Sequence, residues 1–215
     1  MKTYSIQMEV SGPTAMWTRP DTGDSPVSYP LPTFSAAKGL FEGVVMIETV
    51  EIVPTKVEIC KPIIYHNYAT NYGGPLRKGE VVKKGGSYQL LATTLINVCY
   101  RLYAEIRQAR FSKPFSELSE KAQMQANKRL NAVHACQDMF NRRLEKGQWH
   151  DTPFLGWREF VPDYIGSFRE GTRVQEDISL ELPSFLYSVF EPSGKKLPVF
   201  KPDVRVENGR LLYAE

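Results

Sequence analysis

Cysteine and histidine are scarce, with three of each in 215 residues. Cys60, Cys99 and Cys136 stand far apart without paired spacing, which excludes a disulfide framework or a cysteine-rich zinc site. They read as buried thiols in a reducing compartment. His66, His134 and His150 are equally scattered, so neither a metal nor a cofactor is expected. No apolar run approaches the length of a membrane span. Met1-Lys2-Thr3-Tyr4 leads straight into a strand-like pattern, leaving no room for a signal peptide, so the expected location is the cytoplasm, with no membrane partner. A net charge of +3 is too small to announce a polyanion binder. General-purpose catalytic motifs are missing, and neither Thr3–Val10 nor Leu90–Ala109 fits the aromatic signature of an ordinary RNA-recognition motif. What remains is ordinary globular composition, 42% hydrophobic and 24% charged, enough for one large domain or two small ones.

Charge is distributed unevenly. Residues 101–150 carry ten Lys/Arg against five Asp/Glu, and 151–215 carry eight against eleven. The middle is therefore where a polyanion would lie, although a solvated helix face explains the same bias. Along the chain, Thr3–Val10 alternates as a half-buried strand does, and Gly12–Pro32, with five prolines, reads as a long structured loop. Ser35 is positioned to cap a helix over Ala36–Met46. Val50–Tyr65 is strand-like, Asn67–Gly86 is a basic excursion, and Leu90–Ala109 is a further strand. A helix is expected from near Ser119 to Lys146, stopped by Gly147, with a strand over Phe154–Val161.

The resulting order, β-α-β-β-α-β, predicts an α+β, ferredoxin-like domain over residues 1–161. Strand patterns over Ile178–Phe190 and Leu197–Tyr213 predict a small antiparallel extension over 162–215. The fold alone assigns no function.

Two blocks are more specific. Met139–Phe160 reads M-F-N-R-R-L-E-K-G-Q-W-H-D-T-P-F-L-G-W-R-E-F, and near the amino terminus stand Trp17-Thr18-Arg19-Pro20, Val27-Ser28-Tyr29-Pro30 and Thr33-Phe34-Ser35-Ala36-Ala37-Lys38-Gly39 followed by Glu42. These resemble the signatures of the CRISPR-associated Cas-five family in its type I-C form, a branch of the RAMP superfamily. Lys61-Pro62-Ile63 resembles the R-P-I closing that family's second strand. The similarity touches residues 3–67 and 88–161.

The resemblance implies a Cascade subunit that holds the 5′ handle of the CRISPR RNA and meets backbone and large subunits. It also implies metal-independent cutting of precursor RNA, in which a ribose 2′-OH attacks the neighbouring phosphate. Such a cut needs a base or aligning hydroxyl, a proton donor and a cation. The family supplies a tyrosine after the first helix and a Lys-His pair before the M-F-x-R-R block. Here the tyrosine position falls on Val45 and the pair on Ala135 and Cys136, none of which can replace those groups.

Substitute catalytic candidates are His134, which a local gap would bring into the site, and the Tyr65–His66 pair. Each has a plainer reading: His134 stands four residues before Asp138 as a surface pair, and His66 beside aromatics is commonly packed. RNA-contact candidates are Arg19, Lys38, Arg77, Lys78, Lys83, Lys84, Lys128, Arg129, Arg142, Arg143 and Lys146. Arg19 either meets a phosphate or satisfies loop carbonyls. Lys38 near a helix N-terminus suits an arriving anion, whereas Arg142, Arg143 and Lys146 already suit the negative end of theirs. Adjacent Arg158 and Glu159 are expected to face opposite sides of a strand, each with its own partner. Two functions result: a non-catalytic subunit capping guide RNA, or an endoribonuclease with a site rearranged around His134. An unrelated ferredoxin-like enzyme or regulator leaves both matching blocks unexplained.

Overall fold

The computed structural model describes residues 4–71, 89–108, 120, 132–190 and 196–213. Its strands are β1 (Tyr4–Ala15), β2 (Trp17–Thr18), β3 (Ser28–Tyr29), β4 (Val50–Ile59), β5 (Tyr65–Asn71), β6 (Gln89–Gln108), β7 (Tyr164–Gly166), β8 (Leu180–Phe190), β9 (Lys196–Val206) and β10 (Arg210–Leu212). Helix α1 spans Phe34–Val44 and α2 spans Ala132–Lys146.

The main sheet runs β10-β4-β6-β1-β7, with β5 also on β6, and every pairing is antiparallel. The twenty-residue β6 organises it: β1 lies along one edge, while β4 and β5 follow one another along the other. Period-two alternation sorts the faces. Met8, Val10, Leu102 and Ala104 are buried on the helix side, and Glu9, Arg101 and Tyr103 occupy the reverse. The helices meet through Phe41 and Phe140, with ring centroids 5.7 Å apart, and both pack on the sheet. The protein is thus a mixed α and β molecule with a largely antiparallel sheet and few helices.

Several local expectations are corrected. Thr33, not Ser35, caps α1: it is extended, and its Oγ1 accepts from the Ala36 amide at 3.2 Å. Ser35 Oγ instead donates to Ser188 and accepts from the Val189 amide, tying α1 to β8. The proline-rich stretch is largely core, since β1 continues to Ala15, Trp17–Thr18 pairs with Ser28–Tyr29, and Met16, Trp17, Tyr29 and Leu31 are buried.

Residues 154–161 form turns, not a strand. The Leu155 amide bonds the Phe160 carbonyl, Gly156 takes φ +91°, and the Leu155 carbonyl accepts from Met16. The apolar spacing there buries Leu155 and Phe160 on a knot of chain, leaving Arg158 and Glu159 both exposed. The fourth strand beside β1 is β7, later than expected. In the carboxy-terminal region β8 and β9 form a hairpin, but β10 joins the main sheet at β4.

Candidate functional site

The positions where the family resemblance asks for catalytic groups lie at the end of α1 and on α2, the two helices that meet through Phe41 and Phe140. Val45 ends α1, its amide bonded to the Phe41 carbonyl at 3.1 Å, and it is fully buried. Cys136, on the inner stripe of α2 with Phe140 and Leu144, is buried as well. Burial pushes its thiol up to about 11, so at neutral pH it is a closed, neutral group. Ala135 faces outward with nothing beyond a methyl to offer. Arg143 closes the seam, donating to the Val44 carbonyl at 2.8 Å. The result is an apolar seal.

His134 stands one residue away but points elsewhere. Its Nδ1 lies 3.0 Å from an Asp138 oxygen, the side chain is half exposed, and its ring meets Tyr4 edge-on at 5.9 Å. Tyr65 and His66, both exposed, begin β5. Tyr4 sits opposite Ile106 and Tyr65 opposite Leu95, eleven residues apart on β6. At the rise of a strand that is roughly 35 Å. The candidates therefore do not converge on one site. Partial burial of the ring raises the Tyr65 phenol, only partly offset by Arg19.

The cations are placed as follows. Arg19 grips Asp21 through two bonds of 3.1 and 2.8 Å and lies over the Tyr29 ring. Lys38, in the second turn once Thr33 is the cap, pairs with Glu51 at 3.1 Å, so a protein carboxylate is the anion it meets. Arg142 and Lys146 are exposed on α2, whose carboxyl end they and Arg143 suit. Arg77, Lys78, Lys83, Lys84, Lys128 and Arg129 lie outside the described residues, as does most of the 67–86 excursion.

Two features escaped the sequence reading. On the reverse of the sheet Glu9 is wholly buried and accepts from Arg169 Nε at 2.6 Å, the Arg169 amide at 3.1 Å, Thr172 Oγ1 at 2.7 Å and Arg101 Nε at 3.3 Å. Burial pushes this carboxyl up, but the bonds from Thr172, Arg169 and Arg101 prevail and hold it below the usual range. The only sequence signal was an acid among the buried positions of a strand. The second feature is a cleft of about 480 Å³ between α1 and residues 150–156, into which Glu42 and Asp151 face. Its signal was the run of small residues in A-A-K-G-L-F-E-G. Among the described residues, no group of His, Cys, Asp or Glu is placed to hold a metal ion, and no helix is long and apolar enough to cross a membrane.

Comparison with known proteins agrees with the motif reading. A CRISPR RNA-guided surveillance complex contains a chain of similar fold, with TM-score 0.54 and 14% identity, covering 97% of this chain and 91% of that one. A solved CRISPR-associated protein superposes with TM-score 0.70 at 19% identity, over 100% of this chain and 94% of its own. A relative in Thermus thermophilus, named CRISPR pre-crRNA endoribonuclease Cas5d, is 28% identical over 210 residues, which is 94% of this chain and 81% of that protein. One of the same name in Mannheimia succiniciproducens is 27% identical over 170 residues, 72% of this chain and 69% of its own. The family described as CRISPR-associated protein (Cas_Cas5) matches residues 5–184. With a family match over most of its length, this chain belongs to the CRISPR-associated Cas5 family.

Proposed function

We propose that this protein is a guide-RNA-holding subunit of a type I CRISPR surveillance (Cascade) complex that grips the 5′ handle of the CRISPR RNA without cutting it. The observation that carries this reading is the seal at Val45 and Cys136. A 2′-OH attack needs groups that reach solvent and exchange protons, and these two side chains do neither. The similarity to a surveillance-complex chain supports the assembly role. Arg142 and Lys146 supply exposed charge on α2 for phosphates. The strand order β7-β1-β6-β4, with α1 joining β1 to β4 across β6, supports a ferredoxin-like core whose last strand, β7, lies just past the expected boundary at residue 161. Backbone and large subunits are the expected partners, and the cytoplasm the expected setting.

A second reading has its own support: both relatives are named endoribonucleases, and the Asp138 carboxylate orients the His134 ring as a base's partner would. Incubating purified protein with end-labelled cognate repeat RNA, with and without EDTA, separates the two. Tight, salt-sensitive binding with intact RNA is expected. EDTA-resistant cutting that disappears in His134→Ala would replace the holding role with a relocated nuclease.

A further inference from the structure

The cleft beside α1 is a hollow of about 480 Å³, and its chemistry is unlike a phosphate site. Its floor is the face of α1 carrying Ala36, Gly39 and Gly43, spaced so that all three share one side of the helix. A Cβ built at Gly39 would meet nothing within 4 Å, so the space over that residue is open. The walls are apolar, from Leu40, Phe154 and Met46, and Met46 stands 57% exposed at the rim. Glu42 and Asp151 are the acids lining it, exposed His150 lies beside them, and none of the described lining residues is Lys or Arg. Asp151 accepts from the Thr152 amide. Among the described residues Glu42 receives no hydrogen bond or ion pair: the Lys38 ammonium one turn earlier bonds Glu51 and acts on Glu42 only through its charge at a distance.

A slot of this size has room for a long side chain or a nucleotide base. A nucleotide brings a phosphate, which two carboxylates repel. A long side chain with an apolar stem and a cationic head matches both the walls and the acids. We propose that the cleft is the docking slot for a lysine or arginine side chain presented by a protein partner, an inference that rests on the subunit reading above. The stem lies along Leu40, Phe154 and Met46, and the head reaches Glu42 and Asp151.

The test has two arms. In the first, the full chain is titrated with N-acetyl-arginine amide and N-acetyl-lysine amide, with N-acetyl-alanine amide and AMP as controls, followed by NMR at Gly39, Gly43 and the Trp17 indole. Saturable shifts are expected with the cationic amides alone. They should vanish in Gly39→Leu, whose side chain fills open space on a helix it favours, and weaken about fivefold in Glu42→Gln. No response to the cations, or a response that Gly39→Leu leaves intact, overturns the proposal; a response to AMP instead makes the slot a base site. In the second arm, the chain is assembled with its co-encoded protein subunits and guide RNA. Gly39→Leu is expected to lose about tenfold in affinity for one protein subunit while repeat-RNA affinity stays within about twofold. Unchanged assembly overturns the proposal. A wild-type chain that binds no repeat RNA sinks the subunit reading, and the amide titration still decides the slot.

Discussion

Glu9 shows how one residue can constrain a whole face. Its carboxylate has no exposure and takes five donors, the Cys99 thiol included, so a neutral amide in its place removes the charge that Arg101 and Arg169 meet and one of the two acceptor oxygens. Glu9→Gln is expected to cost about 3 kcal/mol, the scale of breaking a buried ion pair, which in a chain of this size lowers Tm by roughly 6–12 °C. The pH dependence has a definite sign. Because the folded carboxyl titrates below its unfolded value of about 4.3, its contribution is complete above that pH and is lost as pH falls through the lower folded value. Urea unfolding of wild type and Glu9→Gln should therefore differ at pH 7, with the gap shrinking once pH falls below the unfolded value and closing only below the folded one. His134→Ala, removing a half-exposed surface pair, is expected to change stability by less than about 1 kcal/mol, measured by the same unfolding.

At the scale of elements, two glycines fix how chain segments end and meet. Gly147 closes α2 at φ +60°: its amide bonds the Leu144 carbonyl and the Gln148 amide bonds Arg143, the reciprocal pair of a Schellman cap. Gly147→Ala should cost about 1 kcal/mol in thermal unfolding. Gly156 is stricter. A Cβ there would lie 1.8 Å from the Met16 carbonyl oxygen, in a backbone conformation of φ +91°. Gly156→Ala must therefore displace the turn from the end of β1, and a loss of more than about 3 kcal/mol is expected by denaturant titration. The Gly147 stop was legible in sequence, since a glycine after a cationic helix end has few other uses. The Gly156 turn was not, because L-G-W-R-E-F alternates like a strand, and only its contact with Met16 favours the knot.

For the whole molecule, the sheet draws on both sides of residue 161. β7 pairs with β1, β10 pairs with β4, and the Tyr213 hydroxyl donates to the Pro32 carbonyl at 2.6 Å in a buried setting. Arg169 and Thr172 cover Glu9 from the same late segment. A fragment of residues 1–161 leaves those groups exposed or unpaired. It is expected to lack a cooperative unfolding transition by circular dichroism, whereas the full chain unfolds in a single step. Two independent transitions in the full chain would instead mark separable units.

The sequence alone determined the family, since two dense blocks of specific residues carry it. It also determined the broad α and β order, since the 2.0 and 3.6 periodicities of β6 and the helices are local properties. It further marked Val45, Ala135 and Cys136 as unable to supply the family's chemistry. Only the tertiary structure decided that Val45 and Cys136 are both buried, that His134 and Tyr65 lie at opposite ends of the sheet, and that Lys38 and Arg19 meet protein carboxylates. Residue type and spacing set what a side chain can do. Which partner it meets depends on segments far away in the chain, which become neighbours only when the sheet closes around β6.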